Sequence, residues 1–267
     1  RFAIMDKFIE LLDFKCPTPE SQQEADEMLM ENLPTMIELM PNSQILTSKV
    51  RDRCKALTSL KLKNMDTINH TSSILSAQLR NLQVLDLAGC SKLSLDQLNT
   101  MLSHTKKLVS LNLSGSLALN DQILASIAKI TSLNTLDLSS THTSLEGFTL
   151  VGNKIGTSLT SLNLSYVSSA TLMISKVASK LTNIQALILQ NVGTPNETFA
   201  TVCSSMDKIT RLDLMENFTL SNENLLVIGY CLHNLKVLNI ATKSASDKAL
   251  IALGKSLGNV LEEISFK

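Results

Sequence analysis

The sequence predicts an α/β solenoid, in which short parallel strands alternate with returning helices. Three observations predict this fold class. The template L-x-x-L-x-L recurs nine times, its first positions lie 25 or 26 residues apart, and a helix-capping residue comes after most copies. A fixed period of this length indicates one strand and one helix per repeat, each repeat stacked on its neighbours.

The strands are predicted by the template itself. Leucine, isoleucine or phenylalanine fills all three template positions of every copy, although only 44% of the chain is hydrophobic. The copies begin at Leu57, Leu82, Leu108, Leu133, Leu159, Ile184, Ile209, Leu235 and Leu261. Parallel strands lie about 4.8 Å apart and packed helices about 8 to 10 Å apart, so the stack is expected to bend with the strands on a concave face and the helices on a convex face.

The helices are predicted by the residues between one strand and the next. Eleven or twelve residues after most first positions stands a residue that caps helices, and apolar residues at helical spacing come after it. These capping residues are Ser94, Asn120, Ser144, Thr171, Asn196, Ser221 and Ser246. The stretch from Ser94 to Gln97 has the pattern of a capping box.

The template and its period give the chain from Leu57 onwards a resemblance to leucine-rich-repeat proteins. The period is similar to that of the cysteine-containing subtype, which occurs in substrate-binding domains of F-box proteins, and Cys54 and Cys90 fit its cysteine positions. Eight residues after the first template position the family often has Cys or Asn, and Cys90 and Asn217 match. The resemblance implies that this side chain binds loop backbone inside the solenoid.

The N-terminal residues 1–56 differ in kind and are predicted to form an acidic helical cap or flank, with the solenoid occupying 57–267. Residues 1–42 contain nine acidic and three basic residues, a net charge of −6. A basic patch of Lys49, Arg51, Arg53 and Lys55 comes next. Three interpretations stay open: it is a solvated helix face, it pairs with the acidic helices, or it binds an external acidic partner.

The candidate partner-binding residues are those expected to face outwards, two, four and six residues after each first template position. In the middle repeats they are almost all Ser, Thr, Asn or Asp, which either form a hydrogen-bonding trough or merely fit crowded parallel strands. The trough candidates are Asp86, Asn112, Asp137 and Asn163. The late-repeat candidates are Ile188, Arg211, Asp213, Met215, Val237 and Asn239, where apolar side chains beside an arginine resemble a binding hot spot. Alternatively, Ile188 and Met215 are covered by their neighbours.

Several function classes are disfavoured by the same sequence. The four histidines stand at different repeat offsets, and no nucleotide, hydrolase or zinc-protease motif occurs, so no catalytic residue, cofactor or metal site is expected. A net charge of zero and 3% aromatic residues argue against nucleic acid as the principal partner. No apolar window reaches the roughly 18 residues of a membrane span.

The expected function is therefore protein binding without catalysis. Five cysteines at unrelated spacings favour a reducing, intracellular and cytoplasmic setting. We expect a scaffold or architectural subunit of a larger assembly, since leucine-rich-repeat subunits of ciliary dynein-regulatory complexes are similar in repeat type; a cilium or cytoskeletal location is compatible with this. The alternatives are a substrate-recognition module of an F-box-type ubiquitin ligase and an enzyme regulator resembling ribonuclease inhibitor.

Overall fold

The computed structural model describes residues 58–61, 79–91, 93–193, 196–218, 220–241 and 245–266. The predicted cap at 1–56 and the basic patch of Lys49, Arg51, Arg53 and Lys55 lie outside these residues. The chain forms two compact units, the first ending at Ala118 and the second beginning at Leu119.

The described residues contain nine short strands, one for each predicted repeat. In the first unit the strands are β1 (Ser59–Lys61), β2 (Val84–Asp86) and β3 (Ser110–Asn112), paired in parallel in that order. In the second unit they are β4 (Thr135–Asp137), β5 (Ser161–Asn163), β6 (Ala186–Ile188), β7 (Arg211–Leu214), β8 (Val237–Ile240) and β9 (Glu263–Phe266). These six are also parallel and in sequence order, so the predicted strand arrangement is confirmed within each unit.

Seven helices return the chain between strands within the described residues. They are α1 (Leu95–His104), α2 (Asp121–Ile127), α3 (Leu145–Ile155), α4 (Ala170–Val177), α5 (Asn196–Ser205), α6 (Asn222–Cys231) and α7 (Asp247–Leu257). A short 3-10 turn, Ala178–Lys180, extends α4. Alternation of strand and helix confirms the α/β class.

Five of the seven predicted helix caps are confirmed and Thr171 is wrong, while Asn196 is the first residue of α5 and not the residue before it. Ser94, Asn120, Ser144, Ser221 and Ser246 each accept a backbone N–H in the first helical turn, and Ser94 completes its capping box with Gln97. Thr171 does not cap α4, because the helix already begins after Ser169. Ala170, Met173 and Ile174 turn their side of α4 into the core, and this register buries Thr171 as well.

The template side chains form the core. From Leu82 to Ile240, each template leucine or isoleucine is at most 1% exposed. In the ninth copy Ile264 is 39% exposed and Phe266 is 53% exposed. Burial of these aliphatic side chains, at about 1.5 to 3 kcal/mol each, supplies the main favourable energy of stacking.

Asn217 shows how a loop is held inside the stack. Its side-chain nitrogen donates to the carbonyl oxygens of Leu189 (2.6 Å) and Leu214 (3.0 Å). Its oxygen accepts the N–H groups of Val192 (2.9 Å) and Gly193 (3.1 Å) in the preceding repeat. The role that the resemblance implied for this position is thus confirmed at Asn217. The preceding repeat has Val192 at the same position, and because its side chain cannot form hydrogen bonds, Asn217 binds that loop as well.

A left-handed residue comes after each described strand from β2 to β7, always seven residues after the first template position. The first unit has glycine there, Gly89 and Gly115, both with φ of 69°. The second unit has Ser140, Tyr166, Asn191 and Glu216 instead, with φ between 50° and 61°. A side chain in this conformation costs about 1 to 2 kcal/mol relative to the right-handed region. The backbone of the second unit is therefore locally strained at these four turns, each of which has a side chain.

Candidate protein-binding site

The polar row at the strand ends is built into the fold. Five side chains each accept the backbone N–H two residues further along, at 2.9 to 3.1 Å, which closes the turn after the strand. They are Asp86, Asn112, Asp137, Asn163 and Asp213. The small polar residues of the middle trough are thus used first to end the strands.

Neighbouring members of this row also bind one another. In the second unit, the Asn163 amide donates to Asp137 at 2.9 Å, and the Asn239 amide donates to Asp213 at 3.0 Å. Gln190 donates to the same Asp213 oxygen at 3.1 Å. Two partially desolvated carboxylates are stabilised in this way by amide donors from the next or the preceding repeat.

Asp213 differs from its sequence prediction. The sequence predicts an accessible side chain at this position, and this is wrong: Asp213 is only 6% exposed. Gln190 and Asn239 cover it, while the Met215 N–H occupies its other oxygen. Met215 and Asn239 are themselves half-buried, so the late part of the polar row is largely turned to internal contacts.

Unlike Asp213, Met215 and Asn239, Arg211 is exposed. It lies at the start of β7, and its in-register neighbours are Ala186 on β6 and Val237 on β8, both half-buried. Within the described part of the chain its guanidinium forms no ion pair and no side-chain hydrogen bond. Five N–H donors thus have no acceptor among the described residues, at a strand position whose in-register neighbours are both apolar.

Ile188 extends the apolar surroundings of Arg211. It stands four residues after its first template position, where most other described repeats have Asp or Asn, and it pairs in register with Asp213. Arg211 and Ile188 both line a depression of about 330 Å³ in the second unit. Apart from Ile188 its wall is polar, with Ser139, Ser140, Asn163, Ser165, Tyr166, Gln190 and Asp213. The structure therefore brings three of the late-repeat candidates, Ile188, Arg211 and Asp213, to the wall of one depression, and Val237 lies beside Arg211 on β8.

Sequence reasoning missed a contact at the rim of this depression. The Tyr166 hydroxyl donates to Glu216 Oε2 at 2.6 Å, joining turns that are two repeats apart. Both residues have a left-handed backbone, with φ of 60° and 61°. The signal was present, because Tyr166 and Glu216 align with Gly89 and Gly115, where a side chain is unfavourable. The hydrogen bond to Glu216 raises the pKa of Tyr166 above its ordinary value, with smaller contributions from desolvation and from the Glu216 charge.

Replacing Glu216 by glutamine is expected to bring the pKa of Tyr166 back towards its ordinary value, because the carboxylate acceptor and its charge are removed. The chain has two tyrosines, so the measurement is an ultraviolet titration in a Tyr230→Phe background, where Tyr166 alone absorbs. Glu223→Gln, a change at an exposed site on α6, is the matched control. An unchanged titration in the Glu216 variant would contradict the hydrogen bond.

The described residues contain neither a metal-ligating cluster nor a disulfide bond. No three His, Cys, Asp or Glu side chains among them are grouped to hold a metal ion. None of the described cysteines, Cys90, Cys203 and Cys231, is in a disulfide bond, and burial raises the pKa of the Cys203 thiol well above its usual range. Within the described ranges no helix has the length and apolar character to cross a membrane.

The fold is a leucine-rich-repeat fold, as comparison with solved structures shows. The chain is similar to the Rad7 and Elc1 complex in yeast, with a TM-score of 0.62 and 19% identity over 99% of this chain and 73% of that one. It also matches the leucine-rich-repeat protein LegL7 of Legionella pneumophila (TM-score 0.45, 20% identity, 85% and 88% covered). An internalin of Listeria monocytogenes matches with a TM-score of 0.47 and 17% identity, covering 94% and 85%. No sequence-family profile matches the chain, and no curated protein sequence does.

Proposed function

We propose that this protein is a non-catalytic protein-binding module that acts as a scaffold subunit of a larger intracellular assembly. The observation that carries the proposal is Arg211, an exposed guanidinium that has no acceptor in the described part of the chain and lies between apolar residues on both adjacent strands. Arginine beside apolar side chains is typical of the residues that dominate protein interfaces. The polar row offers less, because its carboxylates and amides already bind backbone and one another.

Two further observations support the proposal. One of the similar structures is of a protein in complex with another protein, Rad7 with Elc1. The three described cysteines are outside disulfide bonds, which agrees with a reducing compartment. An architectural role, including a ciliary one, stays a proposal at this level, as does the part of Asp86, Asn112, Asp137, Asn163, Met215 and Asn239 in partner binding.

Replacing Arg211 by glutamate, together with Ile188→Glu, is expected to reduce the recovery of native partners at least tenfold in a quantitative pull-down. The change puts two carboxylates where a cation and an apolar side chain stand, and losing a hot-spot residue costs about 2 kcal/mol or more. The matched control is Lys129→Glu, a charge reversal at an exposed site after α2 in the same unit.

Circular dichroism melts of all variants distinguish lost binding from lost folding. If specific partners persist at unchanged recovery while the melts agree, the late strands are not the interface and the proposal fails. Loss of partners with the Lys129 variant as well would also count against it, because the effect would then reflect net charge.

A further inference from the structure

The depression beside Arg211 has features that select the chemistry of its occupant, and this inference rests on the proposed function. The charged groups around it are Arg211, Asp213, Glu216 and Asp137. The three carboxylates are already engaged: Asp213 accepts three hydrogen bonds, Asp137 accepts from Asn163 and from Ser139, and Glu216 accepts from Tyr166. Of these four groups, only the guanidinium forms no hydrogen bond or ion pair with a described residue.

A planar guanidinium with free donors matches a carboxylate, which it binds through two parallel hydrogen bonds. The surroundings strengthen this preference, because the in-register neighbours Ala186 and Val237 offer no competing acceptor in their side chains.

The apolar part of the occupant is selected by Ile188. Arg211 is in register with Ala186, two residues before Ile188 on the adjacent strand. Neighbouring strands are about 4.8 Å apart and two residues of a strand span about 6.7 Å, so the two Cα atoms are separated by about 8 Å along the diagonal. In an extended peptide, residues i and i+2 point to the same side and are about 6.7 Å apart. Residues i and i+2 of an extended peptide are therefore spaced so that one side chain can contact Arg211 and the other Ile188.

We propose that the depression binds an extended segment of a partner protein that carries an acidic residue and an apolar residue two positions apart. The carboxylate pairs with Arg211, and the apolar side chain packs on Ile188 between the walls formed by Gln190 and Tyr166. Recognition of this kind is short and linear, and Asp213 and Glu216 disfavour a second acid on the same side of the segment.

The test is selection of a random peptide library, displayed on phage, against the full chain, and then fluorescence anisotropy of the selected peptides. We expect enrichment of Asp or Glu with Leu, Ile or Phe two positions away. Changing the peptide's acid to its amide, or Arg211 to Ser, is expected to weaken binding at least tenfold. Made together, the two changes are expected to weaken it little more than either alone, because they remove the same contact.

The variants are chosen so that the protein still folds. Arg211→Ser and Ile188→Asn convert the site to residues that equivalent positions of the middle repeats already have, such as Ser161 and Asn163. Ile188→Asn is expected to weaken peptides at least fivefold and to remove the preference for an apolar residue. A melt matching that of the parent chain confirms the fold of each variant.

Several results would overturn the inference. They are no enrichment, enrichment of basic or wholly apolar peptides, equal affinity for acid and amide forms, and equal affinity for the parent and the Arg211→Ser chain. A concentration-dependent dimer that Arg211→Ser dissolves would assign the surface to a second copy instead. If any of these occurs while native partners are still lost on Arg211→Glu, the proposed function stands and only the partner's chemistry is wrong.

Discussion

Replacing Asn217 by aspartate is expected to lower the free energy of unfolding by about 3 to 5 kcal/mol, although the two side chains have almost the same shape. Asn217 is 2% exposed and donates to the carbonyl oxygens of Leu189 and Leu214. Aspartate has no side-chain N–H to donate, so the Leu189 carbonyl loses the Asn217 amide, the Leu214 carbonyl keeps only the backbone N–H of residue 217, and both face a buried negative charge. Leaving buried groups unpaired and burying an unpaired charge are each among the largest single-residue costs.

The measurement for this prediction is urea unfolding monitored by circular dichroism. Asn134→Asp is the control, because Asn134 is exposed in the turn before β4, and a change below about 0.5 kcal/mol is expected there. Hydrogen exchange adds a local readout, since the amides of Val192 and Gly193 donate to Asn217. A loss below about 1 kcal/mol in the Asn217 variant would mean that its hydrogen-bond network contributes little to the stack.

Replacing Leu187 by alanine is expected to cost about 2 to 5 kcal/mol, because it opens a cavity at a well-packed position. Leu187 is fully buried in the middle of β6, in register with Leu162 on β5 and Leu212 on β7. The same change at Leu226, which is 48% exposed on α6, removes the same atoms from a site with far less packing. We expect it to cost less than about 1 kcal/mol.

The damage from Leu187→Ala should also be local at first. In a stack of repeats each unit depends on its neighbours, so opening begins beside the defect. Native-state hydrogen exchange is expected to show the largest loss of protection in β5, β6 and β7 and the smallest in α7. A uniform loss across all described amides would mean that the second unit unfolds as a single cooperative body.

The regular part of the fold could be predicted from the sequence because it depends on a repeated physical requirement. Every repeat needs apolar side chains at the same three strand positions, and this pattern survives changes elsewhere. Thr171 shows the limit: a residue with the right chemistry stands near the expected start of a helix, but burial of Ala170, Met173 and Ile174 decides where α4 begins. At this helix, the packing of apolar side chains outweighs the preference of Thr171 for the capping position.

The candidate site was harder to predict, because it depends on how side chains use one another. Arg211 and Ile188 could be singled out, since both break the polar pattern of the middle repeats. That Gln190 and Asn239 would cover Asp213 depends on contacts between adjacent repeats. The alignment of Tyr166 and Glu216 with Gly89 and Gly115 indicates a left-handed backbone at each turn, but not that these two side chains, 50 positions apart, are hydrogen-bonded.

The constant distance from each strand to its left-handed residue bears on where the chain tolerates a change of length. That distance is seven residues from the first template position in all the described repeats that begin between Leu82 and Ile209. The repeats nevertheless differ in length, and their helices range from 7 residues in α2 to 11 in α3 and α7. Length is therefore adjusted on the helical side. An affinity tag or a fluorescent label placed in the turn after α3 would leave the strand register intact, whereas a single residue inserted between β5 and Tyr166 would shift the pairing that forms the depression beside Arg211.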